Sequence, residues 1–316
     1  MANELIPPRL DEFRTYYNRS LHPELQRLDA QRVRILRGMM ISFIGVVVTA
    51  IVFSVADLGF LNILLFVPVV FYGGHLFWRL RQWRDRFKPA VMQLILDFLN
   101  DSLNYRSLSY DAKRGILRDR FERSGLFRPH ADSYQAEDYI RGIVGEMVFE
   151  MGEAYVRELS PASNKIALVF SGLFVHAVFN ENNVGQIAVW PRRRVRRSKR
   201  VIDRFVSAGG KRADIEIMNA GFREAFAVYA RSNSGTVVKD LLPLPMQDAL
   251  LAFHRQTDRD VYFAVHNKDL FIGLESDYDL LEPHLFRTNI SYALVRQFYA
   301  DITLMLGLIA DFDQTR

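Results

Sequence analysis

The sequence predicts a membrane-anchored α+β protein: an N-terminal helix, a transmembrane α-hairpin, then an antiparallel β-rich cytoplasmic domain that ends in a helix. Three observations lead there. Residues 39–56 and 59–78 are apolar, uncharged segments joined by a short turn. Arginines crowd the outer ends of both segments and are missing from the turn. Beyond residue 130 the pattern changes from helical spacing to short runs of strand formers broken by turn signals.

The hairpin fixes the rest. A helix rises about 1.5 Å per residue and the hydrocarbon core is about 30 Å thick, so each segment is long enough to cross. Asn62 and His75 are the groups in it that would be costly in lipid, and His75, near the end of its segment, reads as interfacial. Gly45, Pro68, Gly73 and Gly74 read as packing residues, because small residues let membrane helices approach and proline is tolerated there. With no charge inside, the hairpin reads as an anchor. A pore would need many hairpins in a ring.

Orientation follows from Lys and Arg. Arg27, Arg32, Arg34 and Arg37 precede the hairpin, and Arg79, Arg81, Arg84, Arg86 and Lys88 follow it. Both termini are therefore expected on the cytoplasmic side, as a multi-pass protein of the bacterial inner membrane. Trp78 and Trp83, beside Arg79 and Arg81, are expected to anchor the interface. No cleavable leader is expected, since the apolar stretch begins only near residue 39.

Four regions are expected: a juxtamembrane helical arm at 1–38, the hairpin at 39–80, a helical stalk at 81–130, and a cytoplasmic α+β domain at 131–316. In the arm, Leu10, Phe13 and Tyr17 share a helical face, and Pro23 suits the first turn of the next helix. In the stalk, Val91, Leu94, Ile95, Phe98 and Leu99 make one apolar face, and a short helix is expected from Ser109. Strands are expected over 138–150, 153–158, 165–179 (one long bent strand or a hairpin bending at Ser171-Gly172), 186–190, 213–218, 225–229, 261–265 and 270–274, with helices over 245–254 and 289–310. A curved antiparallel sheet capped by the last helix, resembling pleckstrin-homology-like modules, is one topology that fits.

The chain has 316 residues and no cysteine, which excludes disulfides, thiolate metal sites and cysteine nucleophiles. Its net charge of +5 is concentrated. Arg192, Arg193, Arg194, Arg196, Arg197, Lys199 and Arg200 place seven cations in nine positions, with Asp203 as the only nearby acid. Three readings compete: a solvated or partner-facing loop, contact with anionic lipid headgroups, and nucleic-acid binding. Each cation near an anionic leaflet adds about 1 kcal/mol. Nucleic acid is the weakest reading, because only Trp190 adjoins the run and a base-stacking platform needs interleaved aromatics.

Several stretches resemble a bacterial family, domain of unknown function 3137. They are Tyr134, Asp138, Ile140 and Gly142; Gly152-Glu153-Ala154; residues 169–174 (VFSGLF) and 226–229 (FAVY); Leu242-Pro243 with Pro245-Met246; Asp269-Leu270-Phe271; and Glu282-Pro283. Their order and spacing carry the likeness, which extends over nearly the whole chain. The resemblance implies the same plan of helix, two-span hairpin and β-rich domain, and a genomic setting beside LemA-type membrane proteins. It implies no activity and no catalytic residues.

No named enzyme has support. The seven histidines show no helical zinc spacing, and neither a nucleophile elbow nor a phosphate-binding glycine loop is present. His176, in an apolar run, reads as a satisfied core or edge residue, and Glu146 and Glu150 read as a solvated sheet face. The expected function is therefore non-enzymatic binding or scaffolding at the membrane surface, with lipids and another membrane protein or further copies of the chain as partners, and no cofactor or metal. The alternatives are a membrane-bound hydrolase, for which Glu153 beside a histidine would be the sign, and the oligomeric pore.

Overall fold

The computed structural model describes residues 9–56, 61–101, 105–129, 131–159, 166–180, 185–231, 237–276 and 283–314, the side chains of 61–67 and 237 apart. Two compact units are distinguished: Met1–Leu10, Ile95–Leu280 and Gln297–Arg316 form one, and Asp11–Leu94 with Leu281–Arg296 the other.

The second unit is helical. α1 (Leu10–Tyr16) passes through one wide turn, Tyr17–Leu21, into α2 (His22–Val55), and α3 (Leu61–Asn100) follows. Pro23 sits in the first turn of α2, as expected. Proline lacks an N–H, and the wide turn before it absorbs the interrupted ladder. The lower half of α2 is stitched by polar contacts. Arg32 is buried and donates to Asp29 at 3.0 Å and to the Leu285 carbonyl at 2.8 Å, while the Asn289 amide meets Asp29 at 3.3 Å. Trp83, expected at the membrane interface, is only 4% exposed. Its indole donates to the Leu28 carbonyl at 2.8 Å and its ring meets Phe87 at 5.5 Å, so the residue ties α3 to α2.

The upper half of α2 is different. An 18-residue window of mean hydropathy 2.4 has none of its residues buried. In α3 the described part of the matching segment is largely bare, with Phe71, Phe77 and Trp78 all more than half exposed and Leu76 the buried exception. Residues 59–60 and the side chains of 61–67, including Asn62, lie outside the described residues.

The first unit is built on β1 (Tyr105–Asp111), β2 (Ser133–Val144), β3 (Met147–Leu159), β4 (Ile166–Val178), β5 (Gln186–Pro191), β6 (Lys211–Arg212), β7 (Phe226–Arg231), β8 (Val261–His266) and β9 (Asp269–Glu275). These form a nine-stranded sheet in the order β1-β2-β3-β4-β9-β8-β5-β7-β6, with every neighbouring pair antiparallel. The β8–β9 hairpin expected around Asn267 is present, and Asn267 takes the left-handed conformation that asparagine tolerates. β2 and β3 turn at Gly145 (φ +57), a position that two-residue hairpin loops reserve for glycine; the expected strand 138–150 is therefore two. β4 runs unbroken through Gly172, whose φ is +143 and whose missing side chain makes room for the Leu274 carbonyl.

Three further expectations are corrected. Tyr105–Asp111 is an edge strand of the sheet, so the segment expected to be a helical stalk is helical only to Asn100, with α4 (Arg118–Arg123) farther on. The strand has no β-branched residue, and Tyr105, Leu108 and Tyr110 are its only strong signals, so its pairing with β2 rather than local propensity defines it. Asp214–Glu216, expected in a strand, is a single 3₁₀ turn. The arginine run, for which a solvated or partner-facing loop is one of three readings, is helical: a 3₁₀ turn at Arg192–Arg194, then α5 (Val195–Ser207).

The sheet centre is covered on both faces, which is why β5, β8 and β9 are buried almost without alternation. On one face Phe121, Leu126 and Phe127 of the α4 region and Val201, Ile202 and Phe205 of α5 pack on Phe170, Phe174, Trp190, Tyr262 and Phe271. On the other, Phe263 meets Phe312 of α9 (Tyr292–Gln314) at 5.1 Å. The terminal helix expected over 289–310 is this α9, apolar but 56% buried across its most hydrophobic window. A last pair of helices, α6 (Ala220–Ala225) and α8 (Leu244–Thr257), flanks β7, with α7 (Val237–Leu241) between them in sequence.

Candidate functional site

The arginine run owes its conformation to its apolar minority. Pro191 closes β5, and Val195, Val201, Ile202 and Phe205 then repeat at helical spacing, so α5 lays one stripe on the sheet and turns its cations outward. Most of those cations do have partners, and the partners are distant in sequence. Arg192 donates to Asp214 at 3.0 Å and to the carbonyls of Arg223 at 2.5 Å and Phe226 at 2.9 Å. Arg193 and Arg194 each take one oxygen of Asp260, whose side chain is 2% exposed. Arg194 and Arg197 share Glu275 at 3.3 and 3.2 Å, and the Tyr262 hydroxyl donates to the same carboxylate at 3.1 Å. Arg197 also caps the Leu168 and Val169 carbonyls of β4. Lys199 pairs with Asp203 at 2.7 Å on the surface.

The electrostatics agree. Burial alone would lower the Arg194 guanidinium, but Asp260 and Glu275 raise it. Burial pushes the Tyr262 phenol well above its ordinary value, and the two acids beside it push the same way. Burial would likewise raise Asp214, yet the Val228 amide and the Arg212 and Arg192 guanidiniums hold it below the usual carboxylate range. Four of the seven cations, Arg192, Arg193, Arg194 and Arg197, thus tie the start of α5 to the sheet and its flanking turns, while Lys199 pairs within α5 itself. Arg196 and Arg200 have no hydrogen bond or ion pair among the described residues and are exposed. Both line a cleft of about 390 Å³ beside α5, with Arg128, Arg197 and Lys199 around it and Leu168, Val169 and Val201 as its apolar wall.

A second polar array lies on the same face of the sheet. Asp269 and Glu275 are six residues apart on β9, so strand alternation points both toward the α5 side, about 20 Å apart. At the Asp269 end, His176 of β4 is buried between two acids, with Nδ1 3.0 Å from Glu150 and Nε2 2.6 Å from Asp269. Its ring stacks on Phe271 at 5.0 Å, and the Tyr139 hydroxyl donates to the other oxygen of Glu150 at 2.9 Å. The hydrogen bond from His176 holds the Glu150 carboxyl below its ordinary value, against the opposing effect of burial. His176 is a satisfied core residue, as expected, whereas Glu150 is no part of a solvated face. Glu146 is exposed but lies off the sheet face, in the β2–β3 turn, where Asn180 donates to it at 2.7 Å.

Glu153, the acid to which a hydrolase reading would assign a histidine, lies instead within 4.8 Å of Glu137 and Asp138. These three could converge on a cation in geometry, but Tyr110 already donates to Asp138 at 2.5 Å.

Asp260, Glu275 and the Glu150–His176–Asp269 array are the site features that sequence reasoning missed. The available signal was an acid at the rim of a continuous apolar strand, as in 260–265 (DVYFAV) and 270–275 (LFIGLE).

Fold and site together define a class: an antiparallel sheet domain, with a helix carrying excess cations on one face, joined to two long helices with bare apolar halves. Within it, residues 168–314 match the family model described as Protein of unknown function (DUF3137). The match begins in β4 and runs through α9, so it contains α5 and both acids that hold it, while Tyr134, Asp138, Glu150 and Glu153 fall before it. No curated protein and no solved structure matches the chain.

Proposed function

We propose that the protein is a two-span bacterial inner-membrane protein, with both termini cytoplasmic, that presents its sheet domain at the membrane surface as a non-enzymatic binding or scaffolding module. The observation that carries this reading is the bare apolar half of α2: an 18-residue window with none of its residues buried would be unstable in water and is stable in lipid. Phe71, Phe77 and Trp78 extend the same character to α3. Below them a groove of about 480 Å³ between α2 and α3 is lined by Arg27, Arg34, Arg79 and Arg86 against Glu24 and Asp85, a net positive lining of the kind expected where two spans enter an anionic leaflet. Among the described residues, the cleft between the apolar halves, about 560 Å³, is lined by uncharged side chains such as Thr49, Pro68 and Gly73, which favours an anchor over a conduit.

The test is extraction. The full chain is expected to stay with the membrane pellet through high salt and alkaline carbonate and to leave it only with detergent. Release by carbonate contradicts the reading.

A further inference from the structure

The cleft beside α5 carries charge that the fold does not use. It is lined by five cations, Arg128, Arg196, Arg197, Lys199 and Arg200, against a single acid, Glu158. Glu158 is committed to Arg128, Glu275 to Arg197, and Asp203 to Lys199. Arg196 and Arg200 are left over. Four residues apart, they stand one turn above the other on the same helix face, where like charges repel. The first turn of α5 holds no acidic residue, and its N-cap, Arg194, makes no side-chain cap, so these cations also oppose the helix dipole. Such an arrangement costs stability unless an anion relieves it.

The opposite wall is apolar. Leu168, Val169 and Val201 line it, backed by Phe127 and Tyr262, whose rings lie 4.9 Å apart. A volume of about 390 Å³ falls in the range of small-molecule pockets. Two guanidinium forks match the tetrahedral, multiply charged oxygens of a phosphate better than a single carboxylate, which one fork satisfies.

We infer that this cleft binds a phosphate monoester carried on an apolar or aromatic group, with Arg196 and Arg200 holding the phosphate and the Leu168–Val169–Val201 wall taking the carbon. The inference stands on the sheet domain alone and does not depend on how the helices meet a membrane.

The experiment is calorimetric titration of the full chain in nanodiscs of neutral lipid. Phenyl phosphate is expected to bind saturably and more tightly than inorganic phosphate, because only the former fills the apolar wall. The double variant Arg196→Gln/Arg200→Gln, in which both changes are on exposed side chains, is expected to weaken phenyl phosphate by roughly tenfold or more, as loss of two charge-assisted contacts implies. Arg204→Gln, an exposed change on the same helix outside the cleft, is expected to change nothing. Nanodiscs doped with phosphatidic acid separate the two sources of such a group: loss of phenyl phosphate binding assigns the cleft to the lipid headgroup, and retention assigns it to a soluble ester. Absence of saturable binding, an equal loss in the Arg204 variant, or binding of an oligonucleotide without binding of phenyl phosphate overturns the inference.

Discussion

The Trp83 indole donates to the Leu28 carbonyl at 2.8 Å, joining α3 to α2 just below the point where both helices lose their packing partners. Trp83→Phe keeps the ring and removes the bond. It is expected to lower the stability of the helical unit by about 1 kcal/mol, read as a lower apparent Tm in detergent. An unchanged Tm would show that ring packing alone holds the helices at this level.

Asp260 is the acid on which the arginine run depends. Its buried carboxylate takes both Arg193 and Arg194, so Asp260→Asn leaves two guanidiniums against a neutral group. The expected cost is about 1–3 kcal/mol, the loss of charge-assisted hydrogen bonds, because both guanidiniums are partly solvated and Arg194 keeps Glu275. Thermal unfolding measures it. Lys199→Gln, which breaks only the exposed pair with Asp203, is expected to cost less than about 1 kcal/mol.

These two residues also show what the sequence could convey. The two long helices with apolar segments, the strand-rich second half, the β8–β9 turn and the terminal helix are all legible, because each rests on local periodicity or turn chemistry. The conformation of residues 192–200 was not. Seven cations look solvated when the nearest acid is Asp203, and the acids that hold them, Asp260 and Glu275, stand about 60 and 80 residues away, brought close only by the pairing of β5 with β8 and of β8 with β9. Glu150 was misread for the same reason: its partner His176 lies directly opposite on β4, a register no single strand reveals. Trp83 reads as interfacial from the nearby Arg79 and Arg81, while the helix face it occupies points inward to Leu28.

His266 sets an acid limit on stability. Burial pushes its imidazole down to about 4, and the Arg231 guanidinium pushes the same way, with Asp269 opposing. The unfolded chain binds the proton near the ordinary value of 6.5, so between these values it holds the extra proton and stability rises with pH. The contribution is therefore full above about pH 6.5 and is lost as pH falls toward 4, up to about 3 kcal/mol in all. His266→Phe is expected to flatten this part of the stability profile between pH 6.5 and 4. A variant with the same slope as the parent would assign the pH dependence to other groups.

The central claim is that α2 and α3 cross a membrane with the sheet domain inside, and cysteine labelling from the periplasmic side tests it most directly. The native chain has no cysteine, so single substitutions report without background. Asp57→Cys is expected to react with an impermeant maleimide in intact cells, while Arg14→Cys and Lys199→Cys react only after the membrane is opened. Labelling of Lys199→Cys in intact cells, or equal labelling of all three positions in the absence of a membrane barrier, would contradict the account.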